Sequence, residues 1–94
     1  MRPRKLVLVI DSNQERLGLT RFVLEHRGHY RVLTQDAAGV VVTIRYEHDL
    51  VCVTNSRGDA WTLTEPQPVE LLEVLRVAAI QKRGRKKKVR EITA

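Results

Sequence analysis

Aromatic residues are scarce in this 94-residue chain, with one Trp, two Tyr and one Phe against an apolar content of 43%. The interior must therefore be built from Val, Leu, Ile and Ala, which suits a strand-and-helix sandwich better than a ring-stacking surface. Cysteine is nearly absent. The single thiol, Cys52, cannot close an intramolecular bridge, and a small secreted domain usually needs several, so a cytoplasmic location is expected. Long hydrophobic runs are missing too. The charged start Arg2-Pro3-Arg4-Lys5 precedes only five apolar residues, Leu6 to Ile10, before Asp11-Ser12, too short for a signal-peptide core or a membrane span. Lysine is absent between Leu6 and Gln81, where seven arginines face ten acids. The net charge of +6 is thus carried by the ends of the chain, around a mildly acidic body.

The segments that are present read in order as strand, helix and strand. Leu6 to Ile10 is an unbroken aliphatic run, the pattern of a central parallel strand covered on both faces. Ser12 and Glu15 have the spacing of a capping box, Leu17, Leu19, Thr20, Val23 and Leu24 recur at helical spacing, and Gly28 suits a left-handed C-cap, so a helix is expected over residues 13–27. Tyr30 to Thr34 reads as a second strand, giving a β-α-β unit with a right-handed crossover. Residues 37–46 fit two templates. Ala37, Val40, Val41 and Ile44 suit a short helix, whereas Val40, Val42, Ile44 and Tyr46 alternate as in a strand; we adopt the helix, because a third parallel strand needs a crossover before it. Leu50 to Val53 and Ala60 to Thr64 are further strands. Only Thr54 to Asp59 separates them, so an antiparallel hairpin over residues 50–64 is allowed for, turning at Arg57-Gly58-Asp59 with the glycine at positive φ. Pro66 and Pro68 open a last helix from Val69, with Leu71, Leu72, Leu75, Ala78 and Ala79 as its buried stripe. Three parts follow: a basic arm over residues 1–5, a domain over 6–81, and a basic tail over 82–94.

On these residues the chain resembles a known family. The stretch from Leu6 to Val32 resembles the first strand, helix and second strand of response-regulator receiver domains; His48 to Val53 resembles their third strand, and Thr64-Glu65-Pro66 through Leu75 their last strand end and final helix. The resemblance implies a reduced flavodoxin-like (CheY-like) α/β fold, its sheet mostly parallel with helices on its faces. Receivers hold Mg²⁺ with two acids after the first strand, accept a phosphoryl group on an aspartate after the third, and neutralise it with a lysine before a proline after the fifth. Here only Asp11 stands in the metal pair, followed by Ser12. The acceptor position falls on Thr54 or Asn55, and the lysine position on Glu65. These five residues are expected to share one rim as a degenerate site without catalysis, cofactor or metal.

The function expected from this is a phosphorylation-independent pseudo-receiver: a protein-interaction module in bacterial-type signalling or transcriptional control, with no membrane role. A loss of sheet favours self-association as a homodimer, through paired edges or through Leu71, Leu75 and Ala78 packed on their twins. Trp61 is either a partner anchor or core filler. The alternative is a small nucleic-acid-associated protein using Arg2, Arg4, Lys5, Lys82, Arg83, Arg85, Lys86, Lys87, Lys88 and Arg90. His26, His29 and His48 show no metal spacing, Cys52 reads as a small apolar core residue, and Asp11 as a carboxylate that interacts with first-turn amides.

Overall fold

A computed structural model describes residues 4–80 of the chain. Its elements run β1 (Lys5–Ile10), α1 (Gln14–Glu25), β2 (Tyr30–Leu33), β3 (Val40–Glu47), β4 (Leu50–Asn55), β5 (Ala60–Thr64) and α2 (Pro68–Ala78). The strands form one sheet in the order β2-β1-β3-β4-β5. β1 pairs in parallel with β2 and β3, whereas β4 pairs antiparallel with both β3 and β5.

This mixed sheet overturns the mostly parallel, flavodoxin-like architecture expected above. Two differences account for it. Residues 40–47 form a strand, not a helix, with Val42 and Ile44 buried at its alternating inward positions. The objection that a parallel strand needs a long crossover fails because β2 is only four residues long. The chain leaves β2 at Leu33, level with Leu8, and rejoins β1 at Val40, level with Leu6. It therefore descends about two residues and passes one strand, which six residues can span. The second difference is the two-residue turn His48-Asp49, which sends β4 back alongside β3.

Both helices lie on one face of the sheet, so the layers are two. Leu24 of α1 and Leu71, Leu75 and Ala78 of α2 belong to the same buried core as Val7, Val9, Val32, Val42, Ile44, Val51 and Val53. The alternation that points these strand residues inward turns Leu6, Leu8, Leu33, Thr43 and Cys52 to the opposite face. Cys52 is accordingly half-buried on that face rather than part of the core. Right-handed connection geometry carries residues 34–39 across this second face, and Gly39, at φ 92°, sits where a Cβ would come within 3.5 Å of Leu6 Cδ1. Leu8 beneath it is only 6% exposed.

Local sequence explains the helix ends. Asn13, one residue beyond the expected Ser12, caps α1 by accepting from Arg16 N at 3.1 Å, and Gly28 adopts φ 79° just past the helix as a residue without Cβ can. For α2, Pro68 stands in the first turn, where its missing N–H costs nothing, and Glu70 reaches back to Gln67 N at 2.8 Å. No helix among the described residues is long and apolar enough to cross a membrane.

Candidate functional site

The rim formed by the C-terminal ends of β1, β3 and β5 is where ligands collect on sheets with parallel strands. Asp11 ends β1 there, its side chain fully enclosed. Arg16, one turn into α1, donates from Nε to Asp11 Oδ2 at 2.7 Å and from Nη2 to Oδ1 at 2.8 Å. Asn13 N adds a third bond to Oδ1 at 2.9 Å. The Arg16 fork is the main cause that holds the Asp11 carboxyl below its ordinary pKa, against a burial effect that pushes the other way. Arg16 also lies over the Tyr46 ring, its guanidinium carbon 4.4 Å from the ring centroid, and donates from Nη1 to the His48 carbonyl at 3.1 Å. Tyr46 Oη in turn shares a 2.9 Å hydrogen bond with Thr20 Oγ1. One arginine thus ties together the end of β1, the start of α1 and the β3–β4 turn.

Behind this cluster a cleft of about 480 Å³ opens between α1 and α2. Its walls are apolar, from Leu19, Val23, Val51, Pro66, Pro68 and Leu71, and its mouth carries Arg16, His48, Asp49 and Glu65. Two mouth residues are conformationally unusual: His48 has φ 60° and Glu65 φ 44°. Positive φ in non-glycine residues costs of order 1 kcal/mol and collects at functional positions. Each is held by backbone bonding, His48 O by Arg16 and Glu65 N by Asp49 O at 2.8 Å. Asp49 and Glu65 form no ion pair among the described residues, while Arg16 is already matched by Asp11. The unmatched charge at the mouth is therefore negative.

The five positions expected to share a rim do not. Asp11, Ser12 and Glu65 lie at this end, but the reversal of β4 carries Thr54 and Asn55 to the opposite end, roughly 17 Å down a strand of this length. Asn55 is structural there. Its Nδ2 donates to Ala78 O and to Asp59 Oδ2, both at 3.1 Å, and its Oδ1 accepts from Arg57 N at 3.1 Å and Asp59 N at 2.9 Å. The same side chain closes the β4–β5 turn, where Gly58 takes φ 91°, and caps the end of α2.

Other expected sites change as well. Leu71, Leu75 and Ala78 are 5%, 0% and 2% exposed in the chain's own core, so they cannot form a self-association surface. Trp61 is half-buried and packs against that core. Lys5 is exposed, and its Nζ spends one of three donors on Ala79 O at 3.0 Å. Arg4 is exposed. Arg2 and Lys82, Arg83, Arg85, Lys86, Lys87, Lys88 and Arg90 lie outside the described residues. No group of three or more His, Cys, Asp or Glu among the described residues is placed to hold a metal ion.

Arg16, Tyr46 and Asp49 were not singled out from the sequence. Arg16 did carry a signal: a base in the first turn of a helix opposes the helix dipole, and such a placement makes sense when an acid lies close by. The cleft itself had none, since its walls come from α1, β4, the β5–α2 connection and α2. The chain belongs to the broad class of two-layer α/β sandwiches with a mixed sheet. Compared with protein-family models, with curated proteins and with solved structures, it matches none of them.

Proposed function

We propose that this chain is a non-catalytic, phosphorylation-independent protein-interaction module whose α1–α2 cleft takes a short apolar segment flanked by basic residues. The observation that carries this reading is the combination of an apolar cleft with a mouth whose unmatched charge is acidic. Apolar walls reward burial of a Leu- or Phe-sized side chain by about 1.5–3 kcal/mol, and Asp49 with Glu65 selects bases beside it. The non-catalytic part rests on Asp11. Three of its roughly four acceptor sites are taken by Arg16 and Asn13 N and its side chain is fully enclosed, a poor placement for a base or for half of a cation site, and Thr54 and Asn55 are at the far end of the sheet.

Two measurements test the reading. A fluorescent peptide with two leucines between flanking lysines should bind the full chain in a polarisation titration, and its glutamate-flanked counterpart about tenfold more weakly, as two exposed charge contacts would give. The exposed wall residue Leu19, replaced in Leu19→Asp, should abolish both signals without loss of helicity; failure of the lysine-flanked peptide to bind the native chain would remove the cleft as an interaction site. Incubation with acetyl phosphate and Mg²⁺ should leave the mass unchanged, and a stoichiometric aspartyl-phosphate would refute independence from phosphorylation.

A further inference from the structure

We infer that β5 is a dimerisation edge, on which a second copy of this chain pairs antiparallel with Thr62 on the two-fold axis to make one continuous sheet. The inference is independent of what fills the cleft.

The hydrogen-bond phase of the hairpin determines which groups are free. Asn55 N bonds Asp59 O and Glu65 N bonds Asp49 O; with the register between them, the odd-numbered residues of β5 face β4. In an antiparallel ladder the N–H and C=O of a residue point the same way and alternate along the strand. The even-numbered residues Ala60, Thr62 and Thr64 therefore present their donors and acceptors outward. Edges that must stay unpaired are blunted by shortness, charge, proline or a bulge. β5 has none of these within Ala60–Thr64. The other edge is defended: β2 has only four residues, with exposed Arg31 among them.

The edge also matches itself. With Thr62 opposite Thr62 of the second copy, Ala60 meets Thr64, and the outward groups form about six ladder hydrogen bonds. The intervening positions then set Trp61 against Leu63 of the second copy and Leu63 against its Trp61, the closely spaced kind of cross-strand pair. Both side chains point to the helical face and are only half-buried in one copy. A stable pair buries on the order of 1,200 Å² or more in total, beyond what five edge residues supply, and α2 adds to it. Half-buried Val74 and Val77, 50% exposed, stand by helical spacing on the side of α2 opposite Leu72, which lines a hollow with Val23 and Leu24 of α1. The first helix packs on β2, while α2 packs on β4, next to β5. At each end the same register sets Asp59 opposite Glu65 of the second copy, a like-charge pair that Arg57, 3.5 Å from its own Asp59, offsets in part.

Sedimentation of the full chain should show a dimer, with Trp61 emission shifting to the blue as concentration rises. Thr62→Pro deletes one outward N–H that β4 does not use, a change edge strands accept, and should raise the dissociation constant about a hundredfold while far-UV dichroism is retained. Should Thr62→Pro unfold, Thr62→Lys sets two ammonium groups across the axis from an exposed position and should give the same loss. In a Cys52→Ser background, Thr62→Cys should cross-link on oxidation, whereas Thr54→Cys, one strand inward, should not. A native chain that stays monomeric through high micromolar concentration, a folded Thr62 variant that stays dimeric, or cross-linking at Thr54 in place of Thr62 would overturn the assignment.

Discussion

The two ends of the sheet use the same kinds of residue to opposite purposes. At the lower end, where β4 finishes and β1 begins, the central polar side chains bond to the protein itself: Asn55 makes four bonds to the β4–β5 turn and α2, and Lys5 closes the same helix end. At the upper end the Asp11–Arg16 pair is equally complete, but beside it His48, Asp49 and Glu65 border an apolar cleft. A polar network that satisfies itself specifies the fold, whereas polar groups arranged around an apolar opening are suited to a ligand. The lower end should govern stability alone, and the upper end both stability and binding.

The strongest test is Asp11→Ala. It strips Arg16 of its fork, leaves Asn13 N without its acceptor and should destabilise the fold by about 3 kcal/mol, at the low end for a broken buried pair because Arg16 is itself one-third exposed. Peptide binding should fall with it, because Arg16 also holds the His48 turn. The pH dependence has a definite sign. A carboxyl whose pKa is lowered by folding contributes its full stabilisation above its unfolded value, near 3.8, and loses it as pH falls through the lower folded value. Acid unfolding of the native chain should therefore show a component below pH 3.8 that is absent in Asp11→Asn. An Asp11→Ala variant as stable as the native chain in urea would erase the distinction between the ends.

Asn55→Ala comes next. It removes four hydrogen bonds at a partly exposed site, and should cost about 2 kcal/mol in denaturant melts while the lysine-flanked peptide binds as before. Altered peptide affinity in a still-folded Asn55→Ala chain would mean that the two ends communicate.

How much of this could be read from the sequence divides along the same line. β1, α1, β2 and α2 were legible because their signals are local: an aliphatic run, a 3.6-residue period, a capping residue, Pro68 and Gly28. The cap moved only from Ser12 to Asn13. The antiparallel hairpin of β4 and β5 was legible too, from the short link Thr54 to Asp59; the direction of β4 against β3 was not, because nothing within Leu50–Asn55 distinguishes a strand running up from one running down. That choice lies in a two-residue turn and in partners distant in sequence. It also decided the site, since one reversal sent Thr54 and Asn55 to the other end. Residues 40–47 were misread for a related reason. Their alternation was correct, but a rule about crossover length outweighed it, and that rule weakens when the preceding strand has four residues.

The smallest effect gives the finest comparison. Lys5→Met keeps most of the aliphatic stem and loses only the bond to Ala79 O at the end of α2, a charge-to-helix-terminus interaction of about 0.5 kcal/mol at an exposed position. At the other end Glu65→Gln changes a side chain that makes no ion pair among the described residues, and should alter stability by less than about 0.5 kcal/mol. Stability alone barely separates the two variants, so binding must. Lys5→Met should leave affinity for the lysine-flanked peptide unchanged and lower the melting temperature slightly, whereas Glu65→Gln should weaken that affinity about threefold, one exposed charge contact's worth, at an unaltered melting temperature. If both variants weaken binding alike, the acidic mouth is not what selects the ligand, and the charge at the upper end is as structural as that at the lower.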